Sequence, residues 1–331
     1  MGINKNIKLI INYVVGPLLL LLICYHLYRQ ISTSPHLSVD QHIIEKSIKS
    51  NGMLFPLLSF LLMFVQWGIE AWKWKIMMHT TSFSIKWTTS LKMIFAGLSF
   101  SFVTPNRLGE FIGRVFYLPS EKRAIGTAFT VYNTIIQIFV YGFFAATAFY
   151  YFDSSLLLSK MPEAFSSVLY VLHKISLFVS LLCIIFFFTQ HRILIILSRF
   201  GFLQKFKSIL NECAQIKIDT SLVLVGLTML KSIVFIVQYW LIFSWLGVEI
   251  SFFSAVVGVS LMVFGLVVVP TVSFLEIGLR WEFSYLLFSV YTSNLLGITI
   301  GTTIIWLLNV ALPALIGAFW LMFRPVVQHD K

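Results

Sequence analysis

The chain has 331 residues, of which 58% are hydrophobic, 16% aromatic and only 11% charged. Soluble domains carry about 25% charged residues, so this composition excludes an ordinary water-soluble domain. The net charge of +11 is explained by basic loops that orient a membrane protein, with attraction to anionic lipid headgroups as an additional contribution. Because the basic residues are scattered between apolar segments, we expect no nucleic acid partner.

Apolar segments long enough to cross a bilayer recur along the chain, which predicts a polytopic helical membrane protein. The predicted full spans are at about 9–28, 54–72, 124–151, 169–189, 220–246 and 299–322. Two further apolar segments, 88–104 and 252–269, run directly into polar motifs that contain proline. We predict that each of these two segments is the entering arm of a re-entrant hairpin, broken at its proline.

Basic residues near the ends of the spans predict the orientation of the chain. Lys5 and Lys8 place the N-terminus in the cytoplasm, and basic residues in the 73–92 loop and at 122–123 lie on the same side. The segment 88–120 must therefore enter and leave the membrane on one side, as a hairpin does. The predicted location is the cell (inner or cytoplasmic) membrane, with multiple passes and a cytoplasmic N-terminus.

The order span, hairpin, span occurs twice, at about 54–151 and 220–322, with opposite predicted orientation. The predicted fold is all-α, with about six full spans and two re-entrant broken-helix hairpins in an inverted repeat within one integral membrane domain, 1–331. Broken segments in corresponding halves are typical of transporters whose substrate binds between the repeats. The alternative is that 252–269 simply spans and leaves the motif after it in a cytoplasmic loop.

The first motif, residues 104–114, contains Pro105, Arg107, Gly109, Glu110 and Arg114. Ionisable groups at membrane depth are costly unless they are paired or face water, so they indicate a functional site. The spacing of three and four places the charged residues on one helical face. Guanidinium groups and the start of a half-helix both suit a phosphate headgroup. The alternative is an internal ion pair that only closes the hairpin.

The second motif, residues 270–280, contains Pro270, Glu276, Gly278 and Arg280. Its glutamate and arginine are again four residues apart, so the same two alternatives apply. The glycines of both motifs are expected to permit a close backbone approach or an unusual dihedral angle.

Polar residues inside other spans are further candidates. Lys231 lies near the middle of its span, and we expect it to pair with Glu110 or Glu276 or to contact a substrate phosphate. Glu70 is either a functional residue or an interfacial one. Asn133 and Gln137 are expected to form interhelical hydrogen bonds or to line the cavity.

Signatures of enzyme chemistry are missing from the sequence. The cysteines form no CxxC pair, no two histidines are four residues apart, and there is no GxSxG, P-loop or dinucleotide-binding turn. We therefore expect no metal, no cofactor and no enzymatic activity. Glu110 and Glu276 could act as an acid–base pair if the hairpins meet, but no nucleophile accompanies them.

The motifs resemble the lysylphosphatidylglycerol synthase transmembrane-region family of flippase-like membrane proteins. The resemblance lies in the segment 97–100, in the first motif with Leu118 after it, and in Ala71–Trp74 at the end of the second span. The second motif is similar to the family's proline, glycine and glutamate motif. It differs at residues 272–275, which are Val-Ser-Phe-Leu here, whereas the family usually has a Gly-Gly pair there.

The resemblance implies a role in lipid translocation, by similarity to the membrane half of the multiple peptide resistance factor. There an aminoacyl-transfer domain follows the membrane half. Here the chain ends soon after Met322, so we do not expect it to make lysyl-lipid itself. The predicted function is a flippase or carrier that moves an anionic phospholipid or polyisoprenoid-linked lipid between leaflets. The alternatives are an intramembrane lipid-modifying enzyme and a non-catalytic membrane partner of a separate lipid synthase.

Overall fold

A computed structural model describes residues 37–81, 83–104, 108–151, 163–197, 213–214, 216–269 and 276–322, together with Tyr25 and Tyr28. Regular secondary structure in these residues is entirely helical, which confirms the all-α fold class. The helices are α1 (Leu37–Asn51), α2 (Leu54–His79), α3 (Trp87–Val103), α4 (Gly109–Val115), α5 (Ser120–Tyr151), α6 (Glu163–Leu197), α7 (Ile218–Trp245), α8 (Phe252–Val268), α9 (Glu276–Phe288), α10 (Leu295–Trp306) and α11 (Leu312–Met322).

Four helices of the described part of the chain are long and apolar enough to cross a membrane. They are α2, α5, α7 and the continuous helix Leu295–Met322, which joins α10 and α11 through a π-helical turn, Leu307–Ala311. The predicted span 9–28 lies outside the described residues, apart from Tyr25 and Tyr28. The predicted span 169–189 falls within α6, whose apolar part, Tyr170–Phe186, is shorter than the other four.

A helical hairpin is present at the first motif, where α4 folds back along α3. Gly109 lies against the backbone of Phe100, and Gly113 lies against the backbone of Ala96, both so closely that a Cβ atom would overlap backbone atoms. Glycine is therefore required for this approach, as predicted for Gly109. The turn itself, residues 105–107, lies outside the described residues.

A second hairpin is formed by α8 and α9. Ser284 of α9 contacts Met262 of α8, and the ring of Phe288 lies against Gly258. Residues late in α9 therefore meet residues early in α8, so the two helices are antiparallel. The alternative that 252–269 spans on its own is not favoured, because α9 returns along it.

The first helices of the two halves, α2 and α7, pack against each other and run antiparallel. Gln238 Nε2 donates to the carbonyl of Ser59 over 2.9 Å, and Lys231 Nζ donates to Glu70 over 2.9 Å. Earlier residues of α7 thus lie beside later residues of α2. This is the arrangement expected of equivalent helices in an inverted repeat.

Each hairpin also packs against the last helix of the other half: α3 contacts α11, and α8 contacts α5. Ser99 Oγ donates to the carbonyl of Ala314 over 2.6 Å, and Gly317 lies against the backbone of Phe95. The halves are therefore interleaved rather than side by side. An inverted repeat of 54–151 and 220–322 predicts such reciprocal packing, and the repeat itself stays a prediction.

Candidate functional site

A cavity of about 540 Å³ lies where the two hairpins approach α2, α5 and α7. The charged side chains that line it come from both motifs and from α7: Glu110, Lys231, Glu276 and Arg280. Apolar residues from both hairpins and from α5 line it as well, including Leu108, Phe111, Tyr141, Phe144, Val263 and Val267. The cavity therefore has both charged and apolar walls, and residues that are far apart in sequence line it together.

The structure brings together some of the predicted site residues and leaves others undetermined. Glu276 and Arg280 share the cavity with Glu110 although they lie on a different hairpin. Gly109 and Gly278 are buried on α4 and α9 beside them. The predicted residues Pro105, Arg107 and Pro270 lie outside the described residues. A lipid-binding role for any of these residues stays a prediction.

Glu70 of α2, which is only 1% exposed, is the centre of a buried polar network. Its carboxylate accepts hydrogen bonds from α2 itself and from α4, α5 and α7. The donors are Lys73 (3.4 Å), Arg114 (3.2 Å), Asn133 (2.9 Å), Gln137 (3.3 Å) and Lys231 (2.9 Å). A buried carboxylate is tolerated only with such compensation, so Glu70 ties four helices together.

This network corrects two sequence interpretations. Lys231 is paired with Glu70, not with the predicted Glu110 or Glu276. Glu70 is not an interfacial residue, because it is buried among other helices. The interhelical hydrogen bonds predicted for Asn133 and Gln137 are confirmed, since both amides donate from α5 to Glu70 of α2.

Aromatic rings of α2 hold the two long cations in place. Lys231 Nζ lies 5.0 Å from the ring centroid of Trp67, and the guanidinium of Arg114 lies 5.5 Å from that of Trp74. Cations are attracted to the faces of aromatic rings, most strongly where water is excluded. Trp67, Glu70 and Trp74 recur every three to four residues, so one face of α2 presents both rings and the carboxylate.

The Glu70 cluster, which we define as Glu70, Lys73, Glu110, Arg114 and Lys231, has an excess of positive charge. Three cations face two carboxylates, since Arg114 Nη2 also donates to Glu110 Oε2 over 3.1 Å. Arg114 Nε and Nη1 have no hydrogen-bond partner in the described part of the chain. A buried cluster with net charge +1 and spare donors favours an additional anion.

The second motif forms an ion pair within α9. Arg280 Nε donates to Glu276 Oε1 over 2.9 Å, and both residues are buried. The guanidinium of Arg280 also lies 5.8 Å from the ring centroid of Phe235 on α7. The predicted pairing at a spacing of four is therefore present, and both of its residues line the cavity.

Sequence reasoning missed several cavity residues, among them the two carboxamides Gln66 and Asn309. Asn309 lies in the π-helical turn, where Leu312 N donates to the carbonyl of Leu307. Pro313 has no N–H to offer the carbonyl four residues earlier, which is that of Asn309, so the helix widens there. An asparagine four residues before a proline in an apolar span is the signal that could have identified this position.

The family model described as the lysylphosphatidylglycerol synthase TM region matches residues 13–317 of this chain. No curated protein and no solved structure was found to match it. The match covers both hairpins, the Glu70 cluster and the cavity between them. The chain therefore belongs to the lysylphosphatidylglycerol synthase transmembrane-region family and has a role connected with membrane lipids.

Proposed function

We propose that this protein is a lipid flippase or carrier that moves an anionic phospholipid or polyisoprenoid-linked lipid between the leaflets of the membrane. The phosphate of the lipid would bind near Lys231 and Arg280, and its chains would lie against the apolar residues of α5, α8 and the hairpin ends. The observation that carries the proposal is a cavity that both motifs line with charged groups and that apolar side chains complete.

The charges of the site support an anionic headgroup. Lys231 and Arg280 line the cavity, and the Glu70 cluster, to which Lys231 belongs, has one excess positive charge. Charge-assisted hydrogen bonds to phosphate are stronger than neutral ones, and arginine can make two at once. Glu110 and Glu276 would neutralise their arginines when the site is empty and yield to the phosphate when it is occupied.

The proposal is tested with purified protein in vesicles that contain a fluorescent lipid. A membrane-impermeant reductant destroys the fluorescence of lipid in the outer leaflet. Labelled lipid that moves from the inner to the outer leaflet during the assay then loses its fluorescence as well. We expect the fluorescence of labelled phosphatidylglycerol or polyprenyl phosphate lipid to fall faster in vesicles that contain the protein than in protein-free vesicles. Arg280→Met should abolish most of this increase in the rate of fluorescence loss, because it removes a cation that lines the cavity.

The matched control is Arg192→Met, which removes an exposed arginine of α6. This variant should transport lipid like the wild type. The flippase proposal fails if folded wild-type protein moves none of the tested lipids between leaflets. It also fails if Arg280→Met and Arg192→Met have the same rates.

A further inference from the structure

Two buried carboxamides line the cavity beside its charged residues. Gln66 is 6% exposed and Asn309 is 4% exposed. In the described part of the chain, neither Gln66 Oε1 nor Asn309 Oδ1 has a hydrogen-bond partner. Buried acceptors are nearly always paired, so an unpartnered acceptor on a residue that lines a cavity indicates a position where a ligand can supply the donor.

The orientation of the Asn309 amide is fixed by its own helix. Asn309 Nδ2 donates to the carbonyl of Ile305 over 3.1 Å. Only the nitrogen of the amide can donate to a carbonyl, so the oxygen is the atom that is left over. The π-helical turn, which the missing N–H of Pro313 favours, presents this residue to the cavity, and such turns are frequent at functional sites.

Unpartnered amide oxygens occur elsewhere in the described residues, but those do not face the cavity. Gln238 Oε1 also lacks a partner, and its Nε2 donates to the carbonyl of Ser59. Gln238 is fully buried and is absent from the cavity lining. It therefore has the same chemistry as Asn309 without access to a ligand, and it serves as a matched control.

The missing donor cannot be a phosphate, because an ionised phosphate only accepts hydrogen bonds. It has to be an N–H or O–H group elsewhere on the ligand. A hydroxyl group is neutral and matches a neutral amide oxygen. An ammonium would be drawn instead to the carboxylates of Glu110 and Glu276, which also line the cavity, because a neutral amide oxygen cannot neutralise its charge.

We propose that Asn309 Oδ1 and Gln66 Oε1 bind hydroxyl groups of the lipid headgroup, so that the site selects a polyol, glycerol or sugar, attached to the phosphate. This inference rests on the proposed function, and it names the part of the headgroup that lies beyond the phosphate. A site that hydrogen-bonds a hydroxyl rejects the analogue that lacks it, because its acceptors then stay unpaired.

The test compares lipids that share one anionic phosphodiester and differ in the rest of the headgroup. Phosphatidylglycerol and phosphatidylinositol carry hydroxyls, phosphatidylmethanol carries no donor, and phosphatidylethanolamine carries an ammonium. Affinities for purified protein are measured by native mass spectrometry at matched acyl chains. Wild type should bind at least one polyol lipid roughly tenfold more tightly than phosphatidylmethanol, as expected for one or two hydrogen bonds.

The variants locate the selectivity. Asn309→Leu and Gln66→Met should each reduce the preference for the polyol lipid several-fold, with little change in the affinity for phosphatidylmethanol. Gln238→Met, which removes a similar amide away from the cavity, should keep the wild-type preference. The two cavity variants are independent, so a folding defect in one leaves the other to test the site.

Several outcomes would overturn the inference. They are equal binding of phosphatidylmethanol and both polyol lipids, a preference that persists in both cavity variants, and an amide-dependent preference for phosphatidylethanolamine. None of these outcomes contradicts the proposed flippase function if lipid transport is observed. Polyol selectivity without any transport would instead support the site and contradict the flippase proposal, and binding of no lipid at all would contradict both.

Discussion

The two hairpins carry the same spacing of glutamate and arginine, but they hold the arginine in different ways. In the first hairpin, Arg114 joins Glu110 of its own helix to Glu70 of α2. In the second, Arg280 pairs with Glu276 of its own helix and meets the Phe235 ring of α7. The first pair is part of a charged network between helices, whereas the bond between the two charged groups of the second stays within one helix, with an aromatic ring of α7 against its guanidinium.

From this difference we predict a mainly structural role for the Glu70 cluster and a mainly functional role for the pair in the second hairpin. Removing one partner from a buried ion network leaves uncompensated charges, which is strongly destabilising. The Glu276–Arg280 bond stays within α9 and lines the cavity, so we expect its loss to affect the cavity more than the packing of the helices. We therefore expect stability to depend on the Glu70 cluster and transport to depend on Glu276 and Arg280.

Glu70→Gln should have the largest effect. It removes the carboxylate that compensates Lys73, Arg114 and Lys231, and breaking a buried pair costs about 3–5 kcal/mol. We expect loss of monodisperse protein in detergent or a large fall in the melting temperature. Glu45→Gln, at an exposed position of α1, is the control. An unchanged melting temperature for Glu70→Gln would show that the cluster does not hold the helices together.

Gly113→Ala should have the next largest effect, because its Cβ would overlap the backbone of Ala96 and Gly97. Overpacking of this kind costs about 1–3 kcal/mol. Gly226→Ala is the matched control, since no other atom lies within 4 Å of its added Cβ atom and alanine favours a helix by up to about 1 kcal/mol. Melting temperatures should fall for the first variant and stay level or rise for the second. Equal values would contradict the close packing of α3 and α4.

Much of this arrangement could be predicted from the sequence. Proline, glycine and paired charges inside apolar segments gave both hairpins, because lipid tolerates such residues only in covered or paired positions. The spacing of four gave both glutamate–arginine pairs, since a helix places those positions on one face. These signals are local in sequence, and they were sufficient to predict the hairpins and the ion pairs within single helices.

The centre of the site could not be predicted in the same way. The bond from Lys231 to Glu70 joins residues 161 positions apart, and no local pattern specifies which of several carboxylates a buried lysine meets. The position of Asn309 depends on a π-helical turn, which hydropathy does not show. Partner choice between helices follows from their packing, so it became visible only in the folded chain.

Glu276→Gln should affect transport more than stability. It neutralises a carboxylate of the cavity and leaves Arg280 positively charged whether or not lipid is bound. We expect lipid translocation in vesicles to fall by roughly tenfold, the equivalent of about 1.4 kcal/mol. The melting temperature should fall less than for Glu70→Gln. If Glu276→Gln were the more destabilising of the two, the assignment of roles to the two hairpins would have to be reversed.

Lys73→Met should have the smallest effect, although Lys73 is fully buried. Its contact with Glu70, at 3.4 Å, is longer than those made by Arg114 and Lys231, and it stays within α2. The substitution removes the excess positive charge of the Glu70 cluster and leaves two cations facing two carboxylates, so it creates no uncompensated charge. We expect the melting temperature to fall less than for any of the preceding test variants.

The comparison variant is Lys231→Met, which removes the same charge but breaks a 2.9 Å bond between α2 and α7 and takes a cation from the cavity. It should lower both the melting temperature and the rate of lipid translocation, whereas Lys73→Met should lower neither by much. Similar losses in the two variants would mean that the total charge of the cluster decides its stability. A loss confined to Lys231→Met would mean that the contact between the two halves decides it.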